Sequence, residues 1–414
     1  MRRRRAARRQ WRAATFVILL IAAAAAGVWI YSRRPVRPAM GLAQVAFSAL
    51  PGWQTNDPQP ALAAFRRSCN ALVRRSPAQP MAGTDYAGQV RDWTGVCADS
   101  KQLINGAPAA RAWFESRFAV FRLREGTVDQ ALFTGYYEPE IRGSRVAHGA
   151  YATPVYGLPR DLVTFDLAQF GRDLPDLRLV GELAGQRVVP FPSRATIDAE
   201  GLSDAPVLLY AADPVSVFFM HIQGSGRARL ENGAMLRLAY AGQNGRPYTP
   251  VGRTLIEKGV LDREHMSMQT IRDWLESNPA RAREIMEADQ SFVFFRELPI
   301  GDPALGSPGS EGVPLTPEAS LAIDPTIHPL GAPMYVATMR PAIDARKPDR
   351  PFDRLLIAQD TGGAIKGTMR ADVFWGFGTD AGSIAGRMQS EGAFFVLLPR
   401  SLAVHLPRQF LASR

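Results

Sequence analysis

Three aspartates stand close together near the C-terminus, in LLIAQDTGGAIKGTMRADVFWGFGTDAGSIAG: Asp360, Asp372 and Asp380. Gly362 and Gly363 follow Asp360, where a strand must turn sharply, whereas Asp372 directly precedes Val373-Phe374-Trp375. An apolar neighbourhood disfavours the ionised form of a carboxyl group. It raises the pKa from about 4 towards neutrality, as a general acid requires. Gly376, Gly378, Gly382 and Gly386 would let a bulky ligand approach the backbone. Aspartates beside glycines are also ordinary turn formers, so this stretch alone leaves a structural role open.

Other chemistries find less support. The five histidines, at 148, 221, 265, 328 and 405, show no metal-ligand spacing. His221 lies in FFMHIQGSGR, which reads as a strand entering a glycine turn, and is a packing or hydrogen-bonding residue there. Ser225 lacks the register of a nucleophile elbow, GGAIKGT lacks the order of a phosphate loop, and no GxGxxG opens a βαβ unit. No cofactor and no metal are therefore expected. The Asp-Thr-Gly at Asp360–Gly362 suggests an aspartic protease, but that chemistry needs two such loops and the chain has one. Sugars, in contrast, are held by polar groups and aromatic faces. FTGYYEPE supplies Thr134, Tyr136 and Tyr137, HIQGSGR supplies Gln223 and Ser225, and GQNGRPYTPVG supplies Tyr248. Ordinary strand and turn chemistry explains each segment singly about as well.

The elements that must carry these residues change character along the chain. Residues 57–123 read as helical, ending in Ala109–Phe121. Short strands follow at Leu132–Tyr137, Tyr151–Tyr156, Arg187–Phe191, Val207–Ala211 and Val215–Ile222. Helical periodicity returns at Val251–Lys258 and Met266–Glu287, interrupted at Asn278-Pro279. Strands resume at Ser291–Glu297, Met334–Thr338, Leu355–Gln359, Val373–Trp375 and Phe394–Leu398, and 301–319 is a loop by composition. The pattern is α+β, mainly β.

Charge separates the N-terminus from the rest. Residues 1–38 hold ten arginines and no acidic residue, leaving 39 basic and 39 acidic groups over residues 39–414. A nucleic-acid binder needs its excess charge on the folded surface, so that partner is not expected. Seven arginines precede an uncharged apolar run from Ala13 to Tyr31. As a helix this run is about 28 Å long, enough to cross a bilayer. The charge bias puts the N-terminus in the cytoplasm and the remaining chain outside. Ala22–Ala26 would also serve a signal-peptide cleavage site, although the bulky end of the run favours an uncleaved anchor. No cysteine precedes Cys69, so none lies near the segment to be acylated. Cys69 and Cys97 fall on apolar faces of neighbouring helices, as two buried thiols or, in an oxidising compartment, a disulfide.

Taken in order, SALPGW (48–53), FTGYYEPEIRGSR, YATPVYGLPRDLV, FFMHIQGSGRARLENG, GQNGRPYTPVGRTLIEKG, SFVFFREL, GSEGVPLTPEASLAIDP and the three-aspartate stretch resemble the membrane-bound lytic murein transglycosylase A family over roughly residues 48–400. The resemblance implies a double-psi β-barrel domain with helices, an inserted smaller β-barrel domain, and a glycan groove between them. The implied divisions are a tail and anchor at 1–38, the larger domain at 48–137 and 244–400, and the insertion at 138–243. It further implies cleavage of the β-1,4 bond between N-acetylmuramic acid and N-acetylglucosamine, leaving 1,6-anhydromuramic ends. Asp372 takes the place of the family's catalytic aspartate, Asp360 of its first aspartate and Asp380 of a further acidic residue, while Thr134 matches a groove threonine. The partners implied are peptidoglycan glycan strands, the inner membrane through residues 13–31, and proteins of cell-wall synthesis, in the periplasm. A muramidase that adds water at the same bond, or a non-catalytic murein-binding scaffold, fits the same residues. Family members known as outer-membrane lipoproteins differ from this chain at the N-terminus.

Overall fold

A computed structural model describes residues 40–102, 106–171, 178–407 and 410. The apolar run at 13–31 lies outside the described residues. Among those described, no helix is long and apolar enough to cross a membrane.

Six strands close into a barrel: β3 (Ala131–Glu138), β13 (Ser320–Ala322), β14 (Pro333–Arg340), β15 (Arg350–Asp360), β16 (Arg370–Phe377) and β17 (Gln389–Pro399). Around the ring the order is β17-β14-β15-β13-β16-β3, and β3 returns to β17. β13 runs parallel to β15 and β16 parallel to β3, while the other pairs are antiparallel. The buried run Phe394–Leu398 reads as continuous apolar chain because both faces of β17 are covered. β1 (Met40–Val45) and β2 (Phe118–Glu125) extend the sheet outward from β17.

Three helices, α1 (Gln59–Leu72), α2 (Arg91–Gln102) and α3 (Ala107–Arg117), belong to the same core. Phe65 of α1 meets Trp113 and Phe114 of α3 at ring-centroid distances of 5.6 and 6.4 Å. A disulfide joins Cys69 of α1 to Cys97 of α2, with 5.4 Å between their Cα atoms. The helical reading of residues 57–123 is corrected at its end: α3 stops at Arg117 and Phe118–Glu125 is strand. Phe118, Val120, Phe121 and Leu123 are aromatic, β-branched or aliphatic. Pairing with β1 and β17 decides their conformation against the local pattern.

Pro139 alone separates β3 from β4 (Glu140–Ser144), which opens a second sheet. With β5 (Thr153–Tyr156), β9 (Val207–Ala211), β10 (Gly226–Leu230), β11 (Met235–Gln243) and β12 (Val293–Leu298), its order is β12-β11-β10-β4-β9-β5. A bridge from Gly157 to Phe295 brings its two edges together. This sheet therefore draws on chain beyond Gln243. β6 (Leu162–Asp166), β7 (Arg178–Ala184) and β8 (Arg187–Pro190) form a separate antiparallel meander. At the junction Arg227 of β10 donates to the buried Glu138 at 3.0 Å and lies 3.4 Å above the Phe377 ring centroid. The barrel and the second sheet are thus held together at the ends of β3 and β16.

Helix α4 (Arg194–Glu200) precedes β9; α5 (Pro214–Gln223), α6 (Val251–Glu257), α7 (Met268–Ser277) and α8 (Pro279–Glu287) share an apolar cluster of their own, and α9 (Gly378–Ala385) follows β16. The strand expected at Val215–Ile222 is helix α5. Asp213 caps it by accepting from Val215 N and Ser216 N at 3.0 Å each, Pro214 occupies the first turn, and Gly224 ends it in the left-handed region. Val215, Val217, Phe218, Phe219, Met220 and His221 are all buried. A helix apolar all round carries no 3.6-residue stripe, so its short β-rich sequence reads as a strand.

Candidate active site

The register of the barrel assembles the acid. β16 and β3 run parallel with Asp372 opposite Thr134, and on the other side Asp372 faces Ala322 of β13. The Thr134 hydroxyl donates to Asp372 Oδ1 at 2.7 Å. Arg370, two residues earlier and so on the same face of β16, donates through Nη2 to Thr134 Oγ1 at 2.7 Å. Its Nη1 is held by the carbonyls of Ala371 (2.8 Å) and Leu132 (3.2 Å).

Asp360 ends β15 beside it and is fully engaged. Tyr136, on the same face of β3 as Thr134, donates to Oδ2 at 2.9 Å. Ser310 N, Ser310 Oγ and Thr361 N all donate to Oδ1, each at 2.9 Å. Both carboxyl groups sit deep among protein atoms yet keep partial access to an open cleft. Burial pushes Asp372 up to about 6. The Thr134 hydroxyl and the Arg370 cation oppose that rise, and Asp360 adds to it. Burial also raises Asp360, against the pull of its donors, and lifts the Tyr136 phenol well above its ordinary value.

The cleft, about 340 Å³, is lined on the barrel side by Asp372, Asp360, Arg370 and Tyr136. Opposite them stand Gln223 at the end of α5, Tyr240 of β11 and Tyr248. Gln223 Oε1 accepts from Tyr137 N at 3.0 Å, which fixes the amide against β3. Burial pushes the Tyr248 phenol up to about 12, with Asp289 adding to the rise. Tyr240 and Tyr248 remain about two-fifths exposed (44% and 41%), enough to offer ring surface to a ligand.

The other residues singled out in the sequence lie elsewhere. Tyr137 alternates to the opposite face of β3 and is buried against Gly382 of α9, where an added Cβ would come 2.9 Å from its ring. Ser225 follows the α5 cap outside the cleft lining, and Asp380 is exposed on the first turn of α9. Arg370, Ser310 and Tyr240 are site residues that sequence reasoning missed. Of these only Arg370 carried a usable signal, its spacing of two from Asp372 on a strand. His221 is buried in α5 and bonds Arg194 Nη1 through Nδ1 at 3.0 Å. A larger cavity of about 610 Å³ lies past this pair. Its wall is mostly apolar and contains neither Asp372 nor Asp360.

Comparison with known proteins decides the family. The MltA specific insert domain matches residues 132–296, and the 3D domain matches residues 319–398. The membrane-bound lytic murein transglycosylase A of Vibrio cholerae is 31% identical over 339 residues, which cover 80% of each chain. The chain belongs to the membrane-bound lytic murein transglycosylase A family. The Escherichia coli K12 member is 35% identical over 269 residues, covering 64% of this chain and 65% of the relative, just under two thirds of its length. The crystal structure of the membrane-bound lytic murein transglycosylase from Agrobacterium tumefaciens superposes with a TM-score of 0.78 at 30% identity, covering 89% of this chain and all of that one. E. coli MltA with bound chitohexaose gives 0.62 at 26% identity, covering 88% and 96%. At these TM-scores and coverages the chain shares its fold with these transglycosylase A structures.

Proposed function

We propose that the protein is a lytic murein transglycosylase in which Asp372 alone serves as acid and then as base. One observation carries this reading: burial pushes Asp372 up to about 6, while of the other carboxyl groups lining the cleft Asp360 has both oxygens occupied by four donors and Asp289 accepts from Thr249 N and Ser291 N beside Arg194. A glycosidase that uses water needs a second carboxylate free to act as base or nucleophile. In the proposed reaction, protonated Asp372 gives its proton to the glycosidic oxygen as the C1–O4 bond breaks and the electron pair stays on that oxygen. The muramyl C6 oxygen then bonds to C1, and its proton returns to Asp372. No water is consumed.

The substrate assignment draws on the relative that binds chitohexaose and on the aromatic and amide groups facing Asp372. The glycan strand would lie along the cleft, with the inserted domain, about Glu138 to Gln243, contributing Gln223 and Tyr240 to one wall. The relatives are membrane-bound by name. For this chain we place the body in the periplasm, held at the inner membrane by residues 13–31.

Mass spectrometry of muropeptides released from purified sacculi tests the chemistry. Anhydromuramic products, absent with Asp372→Asn, are expected. Reducing ends would make the protein a muramidase, and retained sacculus binding without release would make it a scaffold.

A further inference from the structure

We propose that Arg370 is a positioning residue that, through Thr134, fixes which oxygen of Asp372 carries the acidic proton. The inference rests on the transglycosylase reading and deepens it.

The argument is one of hydrogen-bond capacity. A guanidinium only donates, and a threonine hydroxyl has a single proton to give. Arg370 Nη2 donates to Thr134 Oγ1, so that oxygen already serves as an acceptor. Its own proton is left for Asp372 Oδ1, which it reaches at 2.7 Å. An oxygen that accepts this bond is the poorer place for the carboxyl proton. The acidic proton therefore resides on Oδ2. The arrangement is stiff, because Arg370 is also tied through Nη1 to the carbonyls of Leu132 and Ala371 on the two strands that carry Thr134 and Asp372. Without Arg370 the hydroxyl is free to turn and accept from Asp372, which would draw the proton to Oδ1 and away from its productive position.

The same relay serves the second half of the reaction. Once the proton has left, Asp372 is a carboxylate, and both the Thr134 bond and the Arg370 charge stabilise it. Removing either favours the protonated form. The other charged or titratable groups around the cleft are Asp360 of β15, Tyr136 of β3, Arg194 of α4, His221 of α5, and Asp289, Tyr240 and Tyr248 on the second-sheet side. None of these donates to Asp372. Of the carboxylates among them, Asp360 opposes the effect of Arg370.

The test is the pH dependence of kcat/KM for anhydromuropeptide release from sacculi by the full chain. Arg370→Gln and Thr134→Val should each lower kcat by tenfold or more, order-of-magnitude effects for a misaligned proton transfer. They should also move the alkaline limb to higher pH by about one unit. Thr134→Ser, which keeps the hydroxyl, should restore the wild-type limb, and Arg370→Lys should restore part of the shift through charge alone. In the double variant Arg370→Gln/Thr134→Val, the second substitution should add little to the loss of kcat, because proton alignment runs through the two residues in series, while the limb moves further because the Arg370 charge also acts on Asp372 directly. Unshifted limbs in correctly folded single variants, or additive losses in the double variant, would overturn the relay while leaving the transglycosylase reading intact. A wild-type protein that yields no anhydro product overturns that reading itself.

Discussion

A group that must surrender a proton and then recover it works best when its two forms are close in free energy at the working pH. Asp372 approaches that balance by opposition. Burial and the like charge of Asp360 favour the acid, whereas Thr134 and Arg370 favour the carboxylate. Since the proposed first step requires the protonated form, kcat/KM should fall as pH rises through about 6, the value to which Asp372 is pushed. Substituting Asp360→Asn separates charge from geometry. The amide oxygen accepts from Ser310 and Thr361 as Oδ1 does, and the amide NH2 faces a Tyr136 hydroxyl able to turn and accept. With the neighbouring negative charge gone, the alkaline limb should move to lower pH, opposite to the Arg370 variants. Activity above the limb should then decline by on the order of tenfold per unit moved. A pH–rate profile on sacculi checks both the position and the sign. Asp372 and Thr134 were legible from local composition and family pattern. Ser310 was not, because it reaches Asp360 from 50 residues away through a loop whose course only the folded barrel defines.

The strands that carry these residues are held from behind by α1 and by the 301–319 loop. Gln359, next to Asp360, donates to Ala64 O and Ser68 Oγ of α1 and accepts from Ser320. Glu311, next to Ser310, accepts from Ser68, while its backbone N–H donates to the Gln359 carbonyl. The Cys69–Cys97 disulfide, with a sequence separation of 28, therefore braces the helix behind the acid. In the chain-entropy account a loop of that size is worth about 3–4 kcal/mol. Cys97→Ser should lower the denaturant midpoint accordingly and reduce turnover without changing the anhydro product. Burial pushes Glu311 up to about 7, so the native state holds its proton more tightly than the unfolded chain does. Its stabilisation is complete below the ordinary glutamate range and is lost as pH rises through about 7. Glu311→Gln should therefore be more stable than the wild type at pH 8, by about 1–2 kcal/mol, with the advantage fading towards pH 4. Urea unfolding at the two pH values reads it directly. At this scale the sequence disclosed periodic helices such as α7 and α8, broken at Asn278-Pro279 as expected. It concealed α5 because burial on every side erased the stripe, and β2 because long-range pairing overrode the local pattern.

For the molecule as a whole, the distribution of charge and apolar length bears on where the chemistry takes place. Residues 39–414 balance 39 basic against 39 acidic groups, so adhesion of the body to an anionic bilayer has no net electrostatic drive. In the proposed reading, attachment comes instead from the apolar run between Ala13 and Tyr31, flanked by seven arginines before it and three after. Electrostatic adhesion and hydrophobic insertion respond differently to extraction. Salt and alkaline carbonate remove a protein held by surface charge, whereas an inserted helix stays until detergent disperses the bilayer. Cells producing the full chain should retain it in the inner-membrane fraction through both washes and release it with a mild detergent. The intact mass of the purified protein should include the arginine-rich N-terminus. A mass that begins just beyond Ala26, with the protein free in the periplasm, would instead make residues 1–26 a signal peptide. The enzyme would then diffuse along the wall, no longer working only within reach of the membrane. The 301–319 loop, the Arg370 relay and the cleft are built entirely from residues beyond that point. Cleavage at Ala26 would therefore alter where glycan strands are cut while leaving the products unchanged.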